Sequence, residues 1–390
     1  MNETRTTAPA KSGSLQIIAA ENQRDLTRFI RLPNELYRGQ KGFVPQLTGE
    51  AMKTLTAKSN PYFRHAQARY WFACRDGRPV GRISAQVDRL FLERHEATTG
   101  HFGFLDIADD VEAFRALTAV AEDWLRAQGM RRCIGPFSLS INEECGLMVE
   151  GFESAPMMMM PFALPYAGAR LEEQGYRKVK DLIAYDYDIA SARTIASQRL
   201  FNQVSTEQRV KIRPLDMARY DDELAAILDV FNDAWSDNWG FTPFTTEEIA
   251  AAAAAMRPIL KPELVWIAEL DGAPVGMIVA LPNLYEAIRD LDGSIMPFGW
   301  LKLLWRLKVT GLRTSRVALF GVRRAYHRTA LGSVLVLLLL ESLRQASKRL
   351  GIERTELSWI LEDNLPMRRV IESVGGRPYK TFRLYEKALA

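Results

Sequence analysis

Cysteine is scarce: the 390-residue sequence holds three, Cys74, Cys133 and Cys145. The number is odd and the spacings match no metal site, which argues against a disulfide framework and points to a reducing cytoplasm. Charge of one sign is scarce as well. Lys and Arg total 51 against 47 Asp and Glu, a net +4. That mild excess suits an anionic ligand or an anionic membrane surface and is too small to argue for nucleic acid. Long apolar runs are missing too. The longest in the late helix is residues 334–340, far below the ~20 residues of a membrane span, so it reads as a buried helix. Residues 1–14 are polar without an apolar core, which excludes a signal peptide there and predicts a disordered tail.

What is present is a strand, loop, helix, strand, helix, strand order over residues 317–385. Residues 317–320 are an apolar run of strand length. Residues 321–332 form a loop carrying Arg323, Arg324, His327 and Arg328, and an apolar helix then runs from Ser333 to a stop at Gly351. A basic loop opening onto a helix N-terminus is suited to an anion, because free backbone N–H groups and the helix dipole point the same way.

The chain also repeats itself. Residues 70–85 read as a hairpin turning at Asp76-Gly77, and residues 265–280 match them at nine of sixteen positions, among them Trp71/Trp266, Gly77/Gly272 and Gly81/Gly276. Residues 171–180 answer residues 371–380 at a shift of 200, in a register that continues to Tyr185 and Tyr385. Two matches in the same order at nearly the same shift argue for a duplicated domain. Each copy predicts a helix (26–37; 217–236), the hairpin, a strand (103–107; 317–320), a long helix, a strand (132–137; 354–360), a short helix and a final strand. In the first long helix Val111, Phe114, Leu117, Ala121, Trp124 and Leu125 line one face before Gly129. The fold class is α+β, with a mixed twisted sheet flanked by helices in each copy. The domains are placed at 15–190 and 205–390, joined by a polar segment around 188–213.

This order resembles the GNAT acyltransferase superfamily in tandem arrangement. The superfamily's pyrophosphate-cradling signature falls on His327, Arg328, Thr329, Ala330, Leu331 and Gly332, followed by Ser333, so the resemblance places coenzyme A there. Gly332 and the small Ala330 fit the pattern. Downstream, Asn364 and Gly375 match the family's second helix, while Ile371 stands where many members carry a thiolate-protonating tyrosine. The first copy replaces the loop with Ala108, Asp109 and Asp110, and two aspartates would repel a pyrophosphate. It therefore reads as a substrate or scaffold lobe without a coenzyme A loop. Three stretches, 136–152, 231–243 and 359–364, look like the tandem GNAT proteins that include the bacterial ceramide synthases, which N-acylate a sphingoid base with an acyl-CoA.

Two stretches bear on a lipid substrate. Residues 296–308 interleave aromatic and aliphatic side chains with Lys302, Arg306 and Lys308; they read either as a membrane-interface helix or as an amphipathic helix covering the sheet. Residues 157–160 are four methionines, suited to an acyl-chain groove, with Met158 as contact, or to filling core gaps.

N-acyl transfer needs a base near the amine. Glu362 and Asn364 follow the strand at 355–360 and read as base and orienting group, or as helix cap and ion pair. Asn142, Glu143 and Glu144 hold the matching place in the first copy, where paired carboxylates would attract a cationic amine. Asn238 and Trp239 are a substrate contact or a turn. Tyr385 shares its place with Tyr185 and reads as structural, His65 as a satisfied histidine, and Cys145 as no nucleophile. The expected protein is a metal-free N-acyltransferase using acyl-CoA, or an acyl carrier protein as donor, on a long-chain amino alcohol, cytoplasmic or peripheral on the inner membrane face. Alternatives are a small-molecule N-acetyltransferase and a catalytically silent binding protein.

Overall fold

The structure, a computed structural model, describes residues 13–190 and 210–390. The predicted tail up to residue 12 and the core of the predicted connecting segment lie outside the described residues. The first half runs β1 (Leu15–Ala19), α1 (Gln23–Leu36), α2 (Thr48–Leu55), β2 (Ala66–Arg75), β3 (Arg78–Asp88), α3 (Arg89–Arg94), β4 (Thr99–Ile107), α4 (Val111–Ala127), β5 (Arg132–Gly135), β6 (Leu147–Glu150), α5 (Tyr166–Glu173) and β7 (Arg177–Asp188). The second runs β8 (Val210–Pro214), α6 (Tyr220–Trp235), α7 (Thr246–Met256), β9 (Val265–Leu270), β10 (Ala273–Pro282), α8 (Tyr285–Ile288), α9 (Gly299–Trp305), β11 (Thr314–Val322), α10 (Ala330–Arg349), β12 (Arg354–Leu361), α11 (Leu365–Ser373) and β13 (Arg377–Ala388).

Local chemistry sets these elements. Both hairpins turn on an Asp-Gly pair with positive φ at each residue, 48° and 77° at Asp76-Gly77 and 51° and 81° at Asp271-Gly272, the backbone that matches strand twist. Helix α4 starts where Asp110 accepts from Ala113 N at 3.0 Å, and it buries Phe114, Leu117, Ala121 and Leu125 on the sheet. Val111, which the spacing put in that stripe, is exposed because it opens the helix ahead of the covered face. Helix α10 is long and apolar enough to cross a membrane by length and composition, but half of it is buried. Leu335, Leu339 and Leu343 pack in the core formed with β9, β10 and β12.

The two halves share one sheet, in the order β1-β2-β3-β4-β5-β13-β7-β12-β11-β10-β9-β8. Each half gives its last strand to the other: β13 pairs with β5 of the first half, and β7 pairs with β12 of the second. The exchanged strands run antiparallel to each other, with Leu182 opposite Phe382. Those two numbers differ by 200, the shift of the repeat, so the halves meet about a local two-fold relation centred on that pair. Both side chains are fully buried. Beside them Arg383 and Asp181 form a double hydrogen bond at 2.8 and 3.0 Å. Tyr185 reaches across to Arg368 and Glu372 of α11 at 2.9 Å each, which gives the tyrosine pair its structural role on the second-half side.

Strand exchange makes the halves one cooperative unit. Phe382→Ala should destabilise the fold by ~3–5 kcal/mol, in a single chemical-denaturation transition reported alike by near-UV dichroism and by secondary structure. Two resolved transitions, one of them unaffected, would contradict the shared core.

Candidate functional site

A cleft opens where two parallel strands stop pairing. β11 and β12 are paired only over Thr314–Val317 against Arg354–Leu357. Beyond that, β12 stays with β7 through a register break between Leu357 and Ile360. β11 stays with β10, but Ala318 is the extra residue of a bulge, lying between the pairs Val317–Ala280 and Leu319–Val279. A bulged residue drops out of the ladder, so the Ala318 backbone is freed at the floor of a cleft of about 470 Å³. Tyr326, His327, Arg328, Gly332 and Ser333 form one wall; Asn238, Trp239, Asn364 and Met367 face them.

The first of these walls is built by a cap. Thr329 Oγ1 accepts from Gly332 N at 3.0 Å and so opens α10. Arg328 reaches the cap through a left-handed backbone, φ 59°. Gly332 has no room for a side chain, since a Cβ there would stand 2.1 Å from Tyr326 O. This close approach, with helix N–H groups ahead of it, fits a pyrophosphate. Of the loop's basic residues, Arg323 is held by Asp229, and Arg324 by Asp237 at 2.9 Å. His327 Nε2 lies 2.7 Å from Val322 O, while Arg328 is exposed and has no ion pair among the described residues. In the first half the equivalent place is closed. Asp110 is bridged to Arg75 and Asp109 to Arg170 at 2.7 Å each, and Tyr166 donates to Ile107 O at 2.8 Å.

Behind the cleft lies an apolar chamber between α6, α7 and β9–β11, lined by Leu224, Ile227, Phe231, Phe244, Ala253 and Met256 among others. Cleft and chamber share Trp235, Ala318 and Trp359, so they meet at the bulge. The polar side chains lining the chamber include Asn142, Glu143 and Arg316.

Glu143 arrives from the first half. Phe137 and Cys145 bridge the base of a tight hairpin whose tip carries residues 140–144. The tip is seated on the second half: Asn142 Nδ2 donates to Thr242 O at 2.9 Å, and Ile141 packs so closely on Gly240 that an added Cβ would sit 2.9 Å from its Cδ1. Burial first, then the neighbouring Glu144 and Glu248, push the Glu143 carboxyl up to about 7. Glu144 points elsewhere, into a smaller pocket beside Gln46 (2.7 Å) and Tyr285, and burial lifts it to about 7 as well. His65 lies 2.9 Å from Asp88 and 3.3 Å from Glu248. Burial opposes its charge, but those two carboxylates outweigh it and lift the imidazole to about 9. It stays an ion-pair partner that docks α7 on the first half.

The other expected residues are placed as follows. Glu362 is outside the cleft lining; it accepts from Asp181 N at 3.0 Å and from Lys178 Nζ at 2.7 Å, tying β7 to the end of β12. Asn364 lines the cleft and also caps α11, accepting from Met367 N at 3.3 Å. Met158 is packed in the core of the second half, while Met159 lines the chamber. Tyr385 is buried and Cys145 is buried, its thiol pushed well above the usual range. Among the described residues no group of three metal-ligating side chains occurs.

Sequence reasoning missed Arg316 and the chamber itself. Arg316 is buried and donates to Ser358 through Nε (2.8 Å) and Nη2 (3.4 Å). Ser358 donates to Glu356 at 2.5 Å, and Glu356 also receives Lys380 at 3.2 Å and Tyr379. Burial alone would raise the Glu356 carboxyl, but Lys380 and Arg316 outweigh it and hold it low. The strand read from sequence began one residue after Arg316. The run of alanines at 250–255 was the available signal for the chamber, because small residues on one helix leave space beside large ones.

Gly332→Ala should weaken binding of coenzyme A by at least about ten-fold by calorimetry, since the methyl displaces the cradle's backbone. Unchanged affinity in the folded variant would refute this placement of the donor.

The profile of the acetyltransferase (GNAT) family matches residues 224–375. The chain is 44% identical over 379 residues to the bacterial ceramide synthase of Caulobacter vibrioides (strain NA1000 / CB15N), covering 97% of this chain and 98% of that protein. It is also 44% identical over 369 residues to protein YghO of Escherichia coli (strain K12), 94% of each. Among solved structures, a tandem GNAT protein from the clavulanic acid biosynthesis pathway shares the fold with a TM-score of 0.55 at 14% identity, over 97% of this chain and 99% of that one. A GCN5-related N-acetyltransferase from Sphaerobacter thermophilus does so with 0.52 at 13%, over 96% of each. The exchanged double sheet, its single open cleft wall and these similarities lead to one conclusion: the chain belongs to the tandem GNAT acyltransferases, enzymes that carry an acyl group from a coenzyme A thioester to an amine.

Proposed function

We propose that the protein N-acylates a long-chain amine of sphingoid type with an acyl-CoA. The observation that carries this is the meeting of the cleft with the apolar chamber at Trp235, Ala318 and Trp359, with Glu143 on the chamber lining. A small polar amine has no use for a chamber walled by Leu224, Ile227, Phe231 and Met256, whereas a hydrocarbon tail gains ~0.8 kcal/mol per buried methylene there. The 44% identity to a protein named bacterial ceramide synthase supports the same class of acceptor.

The residues divide the reaction between them. The N-terminus of α10 and the Gly332 cradle hold the pyrophosphate, and the thioester runs along the cleft to the bulge. Glu143, ionised, draws the ammonium in and takes one proton from it. The freed amine attacks the thioester carbon; the C–N bond forms as the carbonyl becomes an oxyanion, which the Ala318 N–H is free to receive. Collapse breaks the C–S bond, and the second amine proton leaves with the thiolate as coenzyme A thiol. Arg316, with Nε and Nη2 committed to Ser358, keeps Nη1 for an oxygen on the acceptor, which favours an amino alcohol over a plain alkylamine. Whether acyl-CoA is replaced by an acyl carrier protein follows from the same assay.

Purified protein should release thiol from palmitoyl-CoA with sphinganine, and kcat/KM for amino alcohols should rise about four-fold per methylene of chain, as ~0.8 kcal/mol each implies. Release only with acetyl-CoA and a polar amine would overturn the lipid reading. Release from palmitoyl-acyl carrier protein but not palmitoyl-CoA would move the donor.

A further inference from the structure

Eight of the ten large apolar side chains that are exposed among the described residues fall within residues 295–309. Met296, Phe298, Trp300, Leu304, Trp305 and Val309 are between 46% and 72% exposed. Helix α9 therefore does not cover the sheet; its apolar side faces outward. Scattered exposed leucines need no explanation, but an aromatic patch gathered on one short segment does.

The segment is seated rather than loose. Leu303 packs with Val44, Ile288 and Leu291. Arg306 donates to Ala287 O at 2.7 Å and grips Asp290 at 2.5 Å, and Thr48 N donates to Gly293 O at 3.0 Å. Further back along the chain, Asn283, just after β10, donates to Pro156 O at 3.0 Å. What these contacts leave exposed is thus presented in a fixed orientation.

Charge selects the occupant. Residues 294–314 contain no Asp or Glu, and residues 289–313 hold five Lys or Arg against two Asp. Two copies of the protein facing each other through this patch would bring like charge against like charge. A surface with anionic headgroups over hydrocarbon matches both features, with the tryptophans at the level where their rings are favoured.

We propose that residues 295–309 dock the enzyme on an anionic lipid bilayer, with Trp300, Trp305 and Phe298 entering the headgroup boundary and Lys308 meeting the lipid charge. The docking is independent of which amine is acylated.

The test is co-flotation of the full chain with phosphatidylcholine vesicles, with and without phosphatidylglycerol. The expected result is binding to the anionic vesicles at least about ten-fold tighter than to neutral ones, weakened at high salt. Phe298→Ser/Trp305→Ser should lose that binding while thiol release with water-soluble donor and amine stays unchanged, since neither residue lines the cleft or chamber. Should that variant fail to fold, Lys308→Glu reads the electrostatic half alone and should lower binding several-fold. No binding to anionic vesicles, or binding undiminished in these variants, would overturn the proposal. So would a concentration-dependent dimer that the variants dissociate in the absence of any vesicle binding.

Discussion

The exchange of the final strands is the constraint on which the rest depends. β7 and β13 pair with each other about Leu182 and Phe382, and each completes the other half's sheet. Had each half kept its own last strand, β7 would lie beside β5 and β13 beside β12, and the two halves would not share a strand. With the exchange, β13 fills the place beside β5, and the hairpin tip with Asn142 and Glu143 is seated on the α6–α7 connection of the second half. The site is therefore composite. In the proposed reaction the second half binds the donor and the first half supplies the carboxylate.

That arrangement also accounts for the charge at the centre. Burial strips the Glu143 carboxyl of hydration, and Glu144 and Glu248 add repulsion, so it rises to about 7. Both causes act in the direction that makes it a base near neutrality. The neighbouring buried charges are handled differently. Glu356 is compensated by Lys380 and Arg316 and stays ionised, a structural knot under the floor of the site. Glu143 is left without a cationic partner among the described residues, as the proposed base requires, whereas Glu356 is held by two cations.

Much of the fold was legible in the sequence because the physics was local. The two Asp-Gly turns, the alternating strands, the glycine stops and the repeat at shifts of 195 and 200 each leave a mark within a few residues. The loop that opens α10 was legible for the same reason, down to the tightly packed Gly332. The strand exchange was not, since β7 and β13 look alike and nothing in either says which edge it joins. Choosing Glu143 over Glu362 needed that knowledge: both follow a central strand, but Glu362 is spent on Lys178 and the Asp181 amide. The methionine run split for a similar reason, with Met158 in the core and Met159 on the chamber wall. Residues 296–308 carried two readings in sequence, and only their exposure separates a face turned outward from one turned to the sheet.

The central claim, a first-half carboxylate acting as base in a second-half chamber, is tested most directly by the pH dependence of kcat. The base must be ionised, and its pKa is raised, so the rate should climb with pH and reach half its plateau near the value of about 7. Glu143→Gln should lower the rate by ~10²-fold or more and abolish that limb. Glu144→Gln should keep it but shift it to lower pH, because one source of repulsion is gone. An acid limb unchanged in Glu143→Gln would contradict the account.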